Sequence, residues 1–137
     1  MGRREANNAE EPNPPVESSP PEPSTVKVTF NVFAATVEDE HIHVTGSLKE
    51  LANWAPQSAP TLNCGQTYPV WTATVDLPPS CTFHYKYIRK YIGPPDPLGF
   101  LGFVLGTAKP PPLQWERDPN RSFTTPASGS CTINDIW

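Results

Sequence analysis

Apolar and polar residues alternate with a period of two in several short segments, and this constrains the fold of the chain more than any other feature. In residues 26–32 every second residue is apolar: Val26, Val28, Phe30 and Val32. Successive side chains of an extended strand point to opposite faces, so such a segment buries one face and leaves the other in water. The pattern predicts a half-buried β-strand.

Further segments carry strand signals and are separated by turns rich in Pro, Gly and Asn: Ile42–Val44, Val70–Leu77, Thr82–Arg89, Arg121–Thr125 and Cys131–Ile136. Within Val70–Leu77, Trp71 alternates with Ala73 and Val75, which predicts a place for it in the structural core. No segment shows helical periodicity. Many short strands with frequent turn residues indicate an all-β fold, an antiparallel two-sheet β-sandwich or open, distorted barrel of immunoglobulin-like size.

Length and charge limit the classes of function. At 137 residues the chain has room for one domain with a modest core. The net charge is −4 and no run of Lys or Arg occurs, so we expect no nucleic-acid partner. The longest mostly apolar stretch, Leu98–Gly106, is too short to span a bilayer, and the amino terminus has no apolar signal-peptide core. We therefore expect no membrane partner and no export signal within this chain.

Residues 1–25 differ in composition from the rest. They are rich in Pro, Glu and Ser, contain six prolines and no aromatic residue, and have Val16 as their one larger aliphatic. Such a segment buries too little apolar surface to offset the entropy of ordering it. We predict a disordered, semi-extended linker, with a ragged terminus or cloning remnant as the alternative.

Three cysteines leave at least one unpaired within a monomer: Cys64, Cys81 and Cys131. If Tyr68–Leu77 is one extended strand, Cys64 and Cys81 sit near its opposite ends, roughly 25 Å apart at ~3.3 Å per residue. A disulfide between these two is therefore disfavoured, and the pairing of the three stays open.

No catalytic or metal-binding arrangement stands out. The histidines have no ligand spacing to any cysteine: His41, His43 and His84. No Ser/His/Asp order, phosphate loop or facing carboxylate pair can be defended. We expect no metal, no cofactor and no catalysis by this chain.

Seven short motifs occur in a fixed order: Val28–Val32 (VTFNV), Val44–Ser47 (VTGS), Asn53–Trp54, Pro69–Val75 (PVWTATV), Tyr85–Arg89 (YKYIR), Trp115–Arg121 (WERDPNR) and Asn134–Trp137 (NDIW). The ordered set closely resembles the starch-binding domains of carbohydrate-binding module family 20. The resemblance covers residues 26–137 with one interruption, and it implies a distorted two-sheet β-sandwich.

The resemblance also implies a first starch site, in which Trp54 and Trp115 form an aromatic platform. Glucose packs its axial C–H groups on an indole face, while its hydroxyls need donors and acceptors at the rim. The resemblance assigns these rim roles to Lys86, Glu116 and Asn120. Trp54 lies in a polar loop and charged residues follow Trp115, so both are expected to be exposed.

Several of these residues have plainer interpretations. Lys86 shares a predicted strand face with His84, and a solvated face is the alternative to a binding role. Trp137 is expected to be structural, as a cap on the last strand.

The second starch site of the family departs from the usual pattern here. The family offers two tyrosines, but Glu38 stands at the first position, and Tyr68 stands in for the other. Asp39 and Glu40 remain as hydrogen-bonding candidates, although the run Glu38–Glu40 also fits a solvated turn. We expect this degenerate site to be weak or lost.

An atypical apolar and Pro-rich insertion, at about residues 91–113, separates Lys86 from Trp115. Three interpretations compete: an insertion that extends or lids the first site, a surface that docks on a partner or catalytic domain, and translated non-coding sequence from a faulty gene model. The last is favoured at least as strongly as the first.

The sequence thus predicts non-catalytic binding of starch and related α-1,4-glucans, including glycogen, maltooligosaccharides and cyclodextrin. The chain would be a monomeric part of a secreted glucoamylase- or α-amylase-type hydrolase, targeting it to granular starch. The alternative is a β-sandwich protein-interaction domain that uses the insertion.

Overall fold

The computed structural model describes residues 24–94, 104–105 and 109–137, and within these residues seven strands form two sheets. The strands are β1 (Val26–Phe33), β2 (Glu40–Gly46), β3 (Val70–Leu77), β4 (Thr82–Tyr91), β5 (Leu113–Trp115), β6 (Arg121–Thr124) and β7 (Ser130–Ile136). Three short 3₁₀ helices lie between β2 and β3: Lys49–Trp54, Pro56–Ser58 and Gly65–Thr67.

The two sheets are organised around β1 and β4. In the first sheet β1 lies between β3 and β7, antiparallel to β3 and parallel to β7. In the second sheet β4 pairs in antiparallel fashion with β2 along one edge and with β5 and β6 along the other. The two-sheet β-sandwich is confirmed, and it is not a closed barrel. The parallel β1–β7 pair departs from the all-antiparallel expectation because periodicity shows which face is buried, not which strand lies alongside.

The core lies between the sheets and follows the alternation in β1. The four apolar residues of that strand are fully buried: Val26, Val28, Phe30 and Val32. The Phe30 ring packs edge-on against Tyr85 at 5.4 Å and Phe83 at 6.4 Å between ring centroids. Each large apolar side chain buried in this way contributes roughly 1.5–3 kcal/mol. Contacts between β1 and β4 therefore join the two sheets.

Trp71 lies in this core, with 6% of its surface exposed. Its indole N–H donates to the carbonyl of Ala34 at 3.0 Å, which satisfies the one polar atom of the side chain. The position agrees with the β3 alternation.

The two ends of the insertion lie within the residues that the structure describes. β4 continues to Tyr91 and β5 begins at Leu113, so both predicted boundaries fall within strands. Next to them, the Tyr91 N–H donates to the Pro112 carbonyl at 3.1 Å. Most of the insertion, and residues 1–23 of the predicted linker, lie outside the described residues.

The described residues contain no helix long and apolar enough to cross a membrane. Over the same ranges no group of three His, Cys, Asp or Glu side chains is arranged to hold a metal ion. The three cysteines are free and partly buried: Cys64, Cys81 and Cys131.

Candidate functional site

The five residues predicted for the first site line one surface cavity of about 600 Å³, here called the platform cavity. Its lining is Trp54, Lys86, Trp115, Glu116, Arg117, Asp118 and Asn120. Two of these, Arg117 and Asp118, are not among the residues predicted for the site. Both lie inside the motif Trp115–Arg121, and this position next to the predicted site residues is the sequence signal that could have identified them.

The loop after β2 holds Trp54 at the wall of the platform cavity. Three consecutive residues adopt positive φ angles, Ala52 at 68°, Asn53 at 49° and Trp54 at 67°. This left-handed backbone is unfavourable for residues other than glycine, and it persists only where the surroundings hold it. Leu51 anchors the loop, because its side chain is fully buried and its carbonyl accepts a 2.8 Å hydrogen bond from the Thr45 hydroxyl. Trp54 is left partly exposed.

Trp115, the last residue of the short strand β5, also lines the platform cavity. Trp115 lies across from Ile88 of β4, and 38% of its surface is exposed. The next backbone N–H, that of Glu116, donates to the Tyr87 carbonyl at 3.0 Å. The indole is therefore held on a paired strand.

Lys86 lines the platform cavity with a buried side chain, so the solvated-face interpretation of this residue is wrong. Its side chain is 8% exposed, whereas its neighbour on the same strand face, His84, is exposed. The Lys86 ammonium donates to the Glu116 carbonyl at 3.2 Å and to the carboxylate of Asp118. The loop after β5 thus supplies polar partners that alternation along β4 does not reveal.

A hydrogen-bonded network links Glu116, which lines the platform cavity, to β4 and β7. The hydroxyls of Tyr85 and Tyr87 each donate to the Asp135 carboxylate at 2.8 Å, and Arg121 joins Asp135 to Glu116. Burial is the main cause that raises the pKa of Tyr87 above its ordinary value of 10, and the charge of Asp135 and the hydrogen bond to it raise it further. The same causes raise the pKa of Tyr85. Both phenols therefore stay protonated and act as donors, and the network fixes Glu116 next to Trp115.

A second depression, of about 330 Å³ and here called the edge cavity, adjoins the first. It is lined by Gln114, Trp115, Glu116, Arg117 and Trp137. The Arg89 guanidinium lies 4.4 Å from the centroid of the Trp137 ring. The Trp137 backbone N–H donates to the Phe33 carbonyl at 2.9 Å, which places this tryptophan at the end of the first sheet, partly buried against the core.

The predicted second site is divided between surface and interior. Glu38 and Asp39 are exposed, but Glu40 begins β2 with its side chain 5% exposed. Its carboxylate accepts from the Val37 N–H at 3.1 Å and from Arg89 at 3.4 Å. The interpretation of this run as a solvated turn fits the exposed Glu38 and Asp39, but it does not fit the Glu40 carboxylate, which is buried and bonded to the Val37 N–H of the same turn.

Tyr68 is 48% exposed and provides the aromatic ring of the predicted second site. Its hydroxyl accepts from the Thr36 N–H at 2.9 Å and donates to the Thr36 carbonyl at 3.1 Å. The ring packs edge-on against Trp71 at 6.5 Å between centroids.

Comparisons with known proteins agree with the fold and the motifs. The family model described as "Starch binding domain" matches residues 25–135. Glucoamylase-1 of Schizophyllum commune is 48% identical over 113 residues, an alignment that spans 82% of this chain and 16% of that protein. The chain thus spans a small part of the length of this curated relative.

Solved structures show the same fold. A glycoside hydrolase family 15 glucoamylase from Hypocrea jecorina superposes with a TM-score of 0.64 and 26% identity, covering 91% of this chain and 19% of that chain. The family 20 module of the maltotetraose-forming amylase from Pseudomonas saccharophila STB07 superposes with a TM-score of 0.54 and 22% identity, covering 77% of this chain and 100% of that chain. The chain belongs to the starch-binding domain family, carbohydrate-binding module family 20, whose members are non-catalytic binding domains.

Proposed function

We propose that the platform cavity binds α-1,4-glucan chains by stacking glucose rings on Trp54 and Trp115. The observation that carries this proposal is that two indoles from separate segments line one cavity together with amide and ammonium groups. An exposed indole offers a flat apolar surface to the C–H face of a sugar, and the polar groups around it satisfy hydroxyls. Stacking provides most of the affinity in so open a site.

The polar residues of the cavity differ in what they can offer a sugar. Asn120 is exposed, and its amide both donates and accepts hydrogen bonds. The Lys86 ammonium already has two protein partners and one remaining donor at most. The Glu116 carboxylate is bound by Arg121 and by the Tyr87 N–H, so we assign it to holding the Trp115 segment in place.

The second site contributes little in this proposal. Tyr68 is a single exposed aromatic, and neither Glu38 nor Asp39 replaces a second ring. One platform without a partner platform lacks the gain in affinity that two linked sites provide. In this proposal the module accordingly has one principal site, and we expect it to act as a monomer.

The relatives suggest the setting in which the module acts. Glucoamylases are among them, and the matched region is a small part of their length. We therefore assign this chain to a longer, secreted amylolytic protein, in which residues 1–25 are a linker and the domain concentrates the enzyme on granular starch. Glycogen, maltooligosaccharides and cyclodextrin present the same α-1,4-linked surface and are ligands of the same site.

A pull-down on granular starch tests the proposal, with cellulose as the control surface. The intact chain should sediment with starch, and β-cyclodextrin should release it. The double variant Trp54→Ala, Trp115→Ala should stay in the supernatant. Phe33→Ala is the matched control, because Phe33 is 50% exposed but lines neither described cavity.

Circular dichroism of each variant separates loss of binding from loss of fold. Equal recovery of the wild type and the double variant from starch would refute the platform. A wild type that stays in the supernatant would refute starch binding itself.

A further inference from the structure

The edge cavity repeats the chemistry of the platform cavity. Each is lined by two indoles, Trp54 and Trp115 in the first and Trp115 and Trp137 in the second. In the edge cavity the polar lining includes the amide of Gln114 and the guanidinium of Arg117, both of which are exposed. Aromatic faces with amide and cationic groups are suited to a neutral, hydroxyl-rich ligand.

The two cavities are continuous in their lining. Trp115, Glu116 and Arg117 belong to both, so the two cavities adjoin along this segment. A volume of about 330 Å³ lies at the lower end of the range for small-ligand pockets, about 300–1,000 Å³.

Trp137 is held in place before any ligand binds. The Arg89 guanidinium stacks over its ring at 4.4 Å, and the backbone N–H is bonded to the Phe33 carbonyl. Arg89 is itself fixed, because it donates to the Ala35 carbonyl at 2.7 Å and to Glu40 at 3.4 Å. An aromatic side chain oriented in this way loses little conformational entropy when a sugar packs on it.

We propose that the edge cavity is an extension subsite for the same glucan chain, with Trp137 and Gln114 contacting glucose units that the platform cavity does not reach. This inference rests on the proposed function. It predicts that affinity increases with the length of a linear maltooligosaccharide, since longer chains occupy both cavities. It also gives Trp137 a binding role in addition to its structural one.

Calorimetry with maltotriose and maltoheptaose tests the subsite through Gln114→Ala, because Gln114 lines only the edge cavity and is exposed. Loss of one hydrogen bond to the sugar should weaken maltoheptaose binding about fivefold. Maltotriose binding should stay within about twofold of the wild type. Gln66→Ala is the matched control, because Gln66 is exposed in the helix Gly65–Thr67 and lines neither described cavity.

The indole N–H signals of the four tryptophans provide a second readout that does not depend on a substitution. In nitrogen–proton spectra, maltotriose should shift the signals of Trp54 and Trp115, and maltoheptaose should shift that of Trp137 as well. Trp71 is the internal reference, because its N–H is bonded to the Ala34 carbonyl within the core. Trp137→Phe, which keeps a ring beneath Arg89, should reduce the preference for maltoheptaose.

The outcomes separate the subsite from the proposed function. If maltotriose binds but Trp137 does not respond to maltoheptaose and Gln114→Ala keeps the wild-type ratio of affinities, the subsite is refuted and the platform stands. If the wild type binds neither sugar, the proposed function fails and the extension fails with it.

Discussion

Arg121 donates a hydrogen bond from Nε to Glu116 Oε2 at 2.8 Å, and its Nη2 contacts the same oxygen at 2.5 Å. The other carboxylate oxygen, Oε1, accepts from the Tyr87 N–H at 3.2 Å, and the Glu116 side chain is 11% exposed. Hydrogen bonding to Glu116 is the largest of the effects that raise the pKa of Arg121. The family resemblance assigns Glu116 to the rim of the starch site, but its carboxylate is thus engaged in hydrogen bonds within the protein.

We predict that Glu116→Gln acts mainly on stability. Loss of the charged partner of Arg121 should lower the free energy of unfolding by about 2 kcal/mol, measured by urea denaturation. The affinity of the folded protein for maltoheptaose should change little. Asp76→Asn is the control, because both side chains of its ion pair with Lys27 are solvent-exposed and the change should stay within about 0.5 kcal/mol. A large loss of affinity in Glu116→Gln at unchanged stability would instead make Glu116 a direct ligand.

Tyr68→Ala should leave starch binding almost intact. Tyr68 is the exposed aromatic of the degenerate second site. The other residues predicted for that site carry no aromatic ring: Glu38, Asp39 and Glu40. We expect less than about a twofold change in the protein concentration that half-saturates granular starch. Trp54→Ala, measured alongside, should remove most of the binding. A loss on Tyr68→Ala comparable with that on Trp54→Ala would show that the second site is active.

The buried histidine makes stability depend on pH. Burial lowers the pKa of His43 below 6.5, with smaller lowering by Lys90 and His41, while the hydrogen bond to the Ala59 carbonyl acts in the opposite direction. The unfolded chain therefore binds the proton more readily than the folded one does. Stability from this residue is complete above the unfolded pKa and falls as the pH drops below about 6.5.

Urea denaturation at about pH 7.5 and about pH 5.5 measures this effect. His43→Asn retains an amide donor for the Ala59 carbonyl and should show a smaller loss of stability on acidification than the wild type. The exposed His84→Asn is the control for removal of a histidine, and it should retain the wild-type dependence. An unchanged dependence in His43→Asn would contradict the assignment.

The insertion can be replaced by a tight turn at a defined position. Lys90 of β4 and Leu113 of β5 are register partners, so residues 91–112 close a hairpin between paired positions. Replacing them with Asn-Gly, the preferred two-residue hairpin turn, should retain or raise the melting temperature and preserve starch binding. That result is expected if the insertion is translated non-coding sequence.

A Gly/Ser segment of the same length as residues 91–112 is the control for this replacement. It keeps the length of the loop and removes its sequence, so it separates closure entropy from specific contacts. If both replacements collapse the fold, the insertion is part of the domain. If they fold but lose binding, the insertion contributes to the site.

Local pattern was sufficient to predict much of the sandwich. Alternation identified the buried face of β1, and the same rule placed Trp71 in the core. It failed for Lys86, whose burial depends on the distant loop that carries Asp118. Periodicity reports only the two faces of a strand, whereas Lys86 is covered by a segment that arrives from elsewhere in the chain.

The candidate site shows the same limit. The resemblance selected residues that line one cavity, but it did not indicate that Ala52 and Asn53 adopt the positive φ angles that precede Trp54. Nor did it show that Glu40 lies inside its turn, bonded to Arg89. These features depend on tertiary contacts, which side-chain type and spacing alone do not encode.

The parallel pairing of β1 with β7 places the start of both strands at the end of the first sheet that is remote from Trp137. Both strands run the same way, so the chain enters the first sheet beside Lys27 and Ser130 and ends beyond Phe33 and Ile136, where Trp137 lies. The eight residues of β1 place these ends roughly 23 Å apart at ~3.3 Å per residue. If the proposed function holds, an enzyme joined upstream of β1 would be attached at the end remote from Trp137 and from the edge cavity that Trp137 lines.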